Sequence, residues 1–325
     1  MRRVTVARTR MHWMDALRGL AVALVALNHS LDFPNQFGLD FSFPGRNFMF
    51  GALEPYRVPL LLVLSGLLLR PSLRKPVFDY YWGKVARILW PLLVWGCITA
   101  AAIVHDVDLL NPEYWRSGPM HLWFLAVLLA VYLIGPLVRL VPAVMLALIG
   151  PALLLLFDPE SMDVRKALFW SFFFFAGVAV EPFVQRVQQL GPWFGVVTAA
   201  AAVVFAYAST QGIIRVNPAW PLSVLASLPG LSFVLWLGPR LPRLRPLEFV
   251  GRRSIVLYCA HVPPMLLMAR ILANVPVQPE LLLWVPIVIA TFAVPLLMTW
   301  KYEWFKWAFE LPVRRRSAAI PQRTA

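Results

Sequence analysis

Arg18 and His29 are the two residues whose types and spacing stand out first, because they share one apolar run and lie eleven positions apart. At 100° per residue, eleven steps make three helical turns plus about 20°, so both side chains fall on one helix face, ~16 Å apart along the axis. Val22 and Val25 lie between them on that face and add little bulk. A neutral imidazole can act as general base on a hydroxyl or carry a group covalently, and a guanidinium can hold an anion. Ionisable groups in an apolar segment are costly and are candidates for function by default. Taken alone, Arg18 is better read as a snorkelling side chain, and the bland alternative for His29 is a residue bonded to a neighbouring helix. Their shared face favours the functional reading. Asp15, just before Arg18, offers it a partner, and Asp32, one turn past His29, offers to orient the imidazole.

Five further groups carry polar chemistry. Lys84 and Arg87 are three apart and so adjacent on a helix, and Arg70, Arg74 and Lys75 precede them closely. Such a patch suits the phosphates of a cytosolic cofactor, or simply sets topology and meets anionic lipid. Glu54 can pair with Arg57 or orient a catalytic group, and Ser65-Gly66 permits close helix packing. His121 and Trp123 open another apolar run, where Trp is ordinarily an interfacial anchor and His a substrate ligand or an interfacial residue. Ser254, Tyr258 and His261 follow i, i+4, i+7 spacing and share a face. A Ser/His hydrolase pair is excluded there, since seven helical residues separate Ser254 from His261 by ~10 Å. His105, Asp106 and Asp108 form a weak metal motif better read as a solvated loop, so no metal is expected.

The elements that position these residues follow from composition. The chain has 325 residues, is 60% hydrophobic and only 14% charged, against about 25% charged in soluble domains. So much apolar surface needs lipid as its solvent, and backbone groups in lipid are satisfied within helices. The pattern predicts an all-α membrane bundle of about ten spans, near 14–33, 53–69, 85–105, 120–138, 143–157, 167–183, 192–210, 219–238, 254–273 and 281–300. Residues 1–13 read as a basic cytoplasmic segment, 14–303 as the transmembrane domain and 304–325 as a basic, disordered cytoplasmic tail. With both termini inside, Lys and Arg divide 22 inside to 7 outside, Arg18 completing the 30. That bias accounts for the net charge of +14 without invoking nucleic acid. Membrane lipids are the expected surroundings. The two cysteines, Cys97 and Cys259, read as small buried hydrophobes.

Five places in order resemble the acyltransferase-3 family of integral membrane acyltransferases. They are Asp15 to Gly19 with His29 (an Arg-x10-His pattern), Pro59 to Gly66, Lys84 to Arg87, His121 to Leu125, and Ser254 to His261. Lys84 stands where the family commonly has Arg. The resemblance implies ten spans with both ends inside, in a plasma (inner) membrane. It implies an acyl-CoA co-substrate, acetyl-CoA first, and a hydroxyl acceptor on an extracytoplasmic carbohydrate or related molecule. On that reading His29 is the base, Arg18 sits along the donor's path, and Lys84, Arg87, Arg74 and Lys75 hold donor phosphates. The competing function is a carrier or flippase for a lipid-linked glycan, consistent with 29 prolines that allow broken helices.

Overall fold

The structure, a computed structural model, describes residues 11–41, 43, 45–103, 108–116, 118–276 and 281–312. Among the described residues every regular element is a helix, and there is no strand. Eleven segments matter for function: α1 (His12–Asp32), α2 (Phe48–Ser72), α3 (Val77–Ala102), α4 (Met120–Arg139), α5 (Ala143–Phe157), α6 (Met162–Gln189), α7 (Pro192–Thr210), α8 (Pro221–Arg240), α9 (Arg245–Arg252), α10 (Ser254–Leu272) and α11 (Leu281–Trp300). Eight of these are long and apolar enough to cross a membrane. Two expected crossings fall short of that standard. α1 has the length, but Asp15, Arg18, Asn28, His29 and Asp32 dilute its hydropathy. α5 is apolar but only 15 residues long.

Several elements extend beyond the sequence expectation. α2, α3 and α6 each begin about five or more residues early, so Tyr80 and Lys84 lie inside a span and not before it. The possible metal ligands His105 and Asp106 lie outside the described residues, as does most of the basic tail. Asp108 Oδ1 accepts a hydrogen bond from the Leu110 backbone N–H at 2.8 Å, a local turn contact. Cys259 is fully buried, but Cys97 is exposed on its helix. A large apolar surface is also exposed, including Val196, Val197, Val203 and Val204 of α7. In a chain with eight helices of membrane-crossing length, such a surface suits contact with lipid.

Close backbone approach holds the bundle. At Gly66 of α2 and Gly177 of α6, an added Cβ would run into the other helix's backbone, at Phe174 O and Val63 O. The Ser65-Gly66 pair therefore packs as small residues in membrane helices do. The same device joins α1 to the short helix α9, where Gly19 meets Leu247 O and Gly251 meets Asp15 O. Asp15 is buried in this contact. α9 lies between two spans and carries Glu248, buried, whose carboxylate accepts hydrogen bonds from Arg243 Nε at 2.8 Å and Nη2 at 2.9 Å. His12 Nδ1 is 3.3 Å away. The Arg243 hydrogen bonds, then burial opposing them, leave this carboxyl below its usual range.

Candidate functional site

The end of the bundle where α1 begins, the inner end on the expected topology, holds a cavity of about 510 Å³. Lys75, Lys84, Arg87 and Arg18 line it together with Ser65, Ser72, Tyr80, Tyr132, Ser254 and Tyr258, and Val22, Leu61, Phe124 and Leu125 supply apolar wall. Arg74 is exposed and is not part of the lining.

Local breaks in helices shape this cavity. In α3, residues Val85–Leu89 form a π-turn immediately after Lys84. Pro91 follows, and its missing N–H cannot serve the carbonyl of Arg87, which removes one regular helix bond at this break. In α2, the Leu68 N–H bonds Ser65 O at 3.2 Å, and not Leu64 O as a regular helix would have it. Arg18 Nη2 donates to that Leu64 carbonyl at 2.8 Å. Arg18 is thus anchored to a helix irregularity at the cavity wall.

Lys84 sits in a cage. Its Nζ lies 3.6 Å from the Tyr132 ring centroid and 5.0 Å from that of Tyr80, and it donates to Ser72 Oγ at 3.3 Å. Tyr80 in turn donates its hydroxyl to Tyr132 O at 2.6 Å, and Tyr132 donates to Ser65 O at 3.3 Å. The ammonium is held by ring faces, so it keeps donors to spare for a phosphate. Tyr80, Tyr132 and Ser72 escaped the sequence reading as site residues, and Ser65 was read only as a packing residue. Their only signal was a polar residue within an apolar run, which packing usually explains.

The outer half holds three imidazoles. His29 Nδ1 and His261 Nε2 are 2.9 Å apart, and the rings are nearly parallel, with centroids at 5.2 Å. Phe33, one turn on, also stacks on His29, with ring centroids at 4.4 Å. His121 meets His261 edge to face at 5.0 Å. His121 and His261 are almost wholly buried, and His29 is partly open. Among the described residues no group of His, Cys, Asp and Glu is placed to hold a metal.

Pro263 and Pro264 build this cluster. They interrupt α10 at His261 and supply no N–H to the carbonyls of Cys259 and Ala260. His121 Nε2 lies 3.1 Å from Cys259 O and fills one vacancy. Tyr258 donates its hydroxyl to His121 O, tying the two helices a second time.

Several assignments are corrected by this arrangement. Asp32 does not orient His29. Its carboxylate accepts from Asn28 Nδ2 at 2.6 Å and pairs with Arg46 at 2.7 Å, so the partner of His29 is His261. Glu54 makes no contact-distance ion pair with Arg57 among the described residues, although each feels the other's charge. Arg57 Nη1 is buried with no hydrogen-bond partner, and its charge also reaches His29. His121 is a core residue and not an interfacial one. Trp123 packs against Trp170 at 5.5 Å and is half buried, so it is no simple anchor. Ser254 and Tyr258 line the cavity, but His261 turns toward His29. The face shared by Arg18 and His29 is not one open channel. The cavity reaches Arg18 and Val22, while Val25 is buried and His29 lies beyond the lining.

A family model described as an acyltransferase domain matches residues 11–300. No curated protein and no solved structure matches the chain.

Proposed function

The chain belongs to the acyltransferase-3 family and is a multi-pass membrane acyltransferase; from that premise we propose that it moves an acyl group, acetyl first, from cytosolic acyl-CoA to a hydroxyl on the far side of the membrane. The acceptor is an extracytoplasmic carbohydrate or related molecule, and the membrane is the plasma (inner) membrane. α1 and α5 are taken as the remaining two crossings, which makes ten and puts both termini inside, in keeping with the charge bias. The observation that carries the proposal is the cation-lined cavity at the inner end, with three imidazoles beyond its deep wall.

The residues fit an acyl-CoA. Lys84, Arg87 and Lys75 offer charge to phosphates at the mouth, and Val22, Leu61 and Phe124 offer an apolar surface to the thinner pantetheine arm. Arg18, fixed by Leu64 O, lies between the two. The acyl end must then pass the wall of Val22, Phe124 and Tyr258, so the reaction requires those side chains to part. His29 removes the proton of the acceptor hydroxyl as its oxygen bonds to the thioester carbonyl carbon. Collapse of the tetrahedral intermediate breaks the C–S bond, and the departing thiolate takes the proton back from His29.

The test adds labelled acetyl-CoA to inside-out vesicles and follows label into envelope glycans and lipids. The His29→Ala protein should insert normally and transfer at least about 100-fold more slowly. Wild-type transfer by that variant would sink the assignment. Movement of a lipid-linked glycan with no ester formed would favour the carrier reading instead.

A further inference from the structure

We propose that His261 is a positioning residue that fixes which nitrogen of His29 is the base, leaving Nε2 free and Nδ1 protonated. The inference rests on the acyl-transfer reading and adds a role that the reading does not require.

The argument begins at the broken helix. His261 Nδ1 lies 3.0 Å from Leu257 O and 2.9 Å from Tyr258 O. Carbonyl oxygens only accept, so Nδ1 carries the proton. A bare Nδ1 there would set its lone pair against two oxygens in a site with no exposed surface. In the neutral ring Nε2 is then unprotonated and can only accept. Its neighbour at 2.9 Å is His29 Nδ1, so that atom must be the donor. The remaining nitrogen of His29, Nε2, keeps its lone pair.

The rest of the surroundings agree. His121 spends its Nε2 proton on Cys259 O, and its Nδ1 is buried with no partner, so it offers His261 no competing donor. Phe33 stacks on His29 and brings no proton. His261 therefore does for His29 what a buried carboxylate does in a Ser-His-Asp triad, with a neutral acceptor in place of the anion. When His29 takes up the acceptor's proton on Nε2, its Nδ1–H stays bonded to His261.

Two variants separate positioning from mere packing. His261→Leu fills the space and removes the acceptor. His261→Gln places an amide oxygen near the former Nε2. In the vesicle assay at saturating acetyl-CoA, His261→Leu should lower the rate roughly 100-fold with the donor KM unchanged, while His261→Gln should stay within about 10-fold of wild type. With ¹⁵N-histidine-labelled protein in nanodiscs, the His29 signal (assigned by its loss in His29→Ala) should show bare Nε2 in wild type and in His261→Gln, and mixed tautomers in His261→Leu. A wild-type rate for His261→Leu, a Gln variant as slow as the Leu variant, or a proton on Nε2 of His29 in wild type would overturn the proposal. Failure of the underlying reading looks different: His29→Ala would then still transfer label, while the nitrogen signals remained as described.

Discussion

The inner cavity and the outer imidazole cluster solve opposite physical problems. At the inner end, Lys75, Lys84 and Arg87 gather like charges around open volume, and the Lys84 ammonium is tempered by the rings of Tyr80 and Tyr132. At the outer end, His29, His121 and His261 are packed ring to ring, and the inner cavity does not extend to them. The first region keeps donors unspent, as binding an anion from water requires. The second spends nearly every donor internally, so that one nitrogen is left with a defined state. A membrane enzyme that takes its donor from one side and its acceptor from the other needs this division, with binding where water is and proton transfer where it is not.

The division can be broken most severely at the inner end. A Lys84→Ala, Arg87→Ala double variant should raise the acetyl-CoA KM by about 100-fold or more, since hydrogen bonds to charged groups contribute roughly 1.5–3 kcal/mol each. The maximal rate should hold, and a fall in maximal rate at constant KM would show that the inner cations act in the chemistry. A smaller effect is expected at the boundary. Phe124 lines the deep wall and packs on Tyr258 at 5.3 Å. Phe124→Ala should let water reach the imidazoles and raise thioester hydrolysis without acceptor by about 10-fold, measured as free thiol release. Unchanged hydrolysis would mean that the boundary lies elsewhere.

The smallest effect concerns the support of α1, which carries residues of both regions. The Glu248 carboxyl is held below its usual range by Arg243, so its contribution to stability is full above the ordinary carboxylate pKa. That contribution fades as the pH falls through the lower folded value. Thermal unfolding in detergent should show an acid-side loss of stability that Glu248→Gln removes. An identical pH profile in the variant would place that loss on other groups.

Much of this was legible along the chain. Arg18 is legible because a charge in an apolar run has few innocent explanations, and it does line the cavity. Lys84 and Arg87 are legible because three-residue spacing on a helix makes neighbours regardless of the fold. Arg74 shows the limit of that reasoning, because a basic cluster in sequence does not say which member turns toward a cavity. Asp32 shows it again. One turn of helix put it near His29, but Arg46, from the loop that follows α1, claimed its carboxylate. The element boundaries slipped where Tyr80, Lys84 and other polar residues belong to spans, since hydropathy alone ends a span at the first charge.

Composition alone determined that this is a helical membrane protein, because apolar content on that scale has no other stable solvent and the backbone in lipid has no other simple way to satisfy itself. Residue order along single helices determined which cations sit together. Only the tertiary structure decided that His29 answers to a histidine 232 positions away. That pairing depends on two prolines breaking a distant helix at the depth where α1 passes, and no local spacing encodes such a meeting.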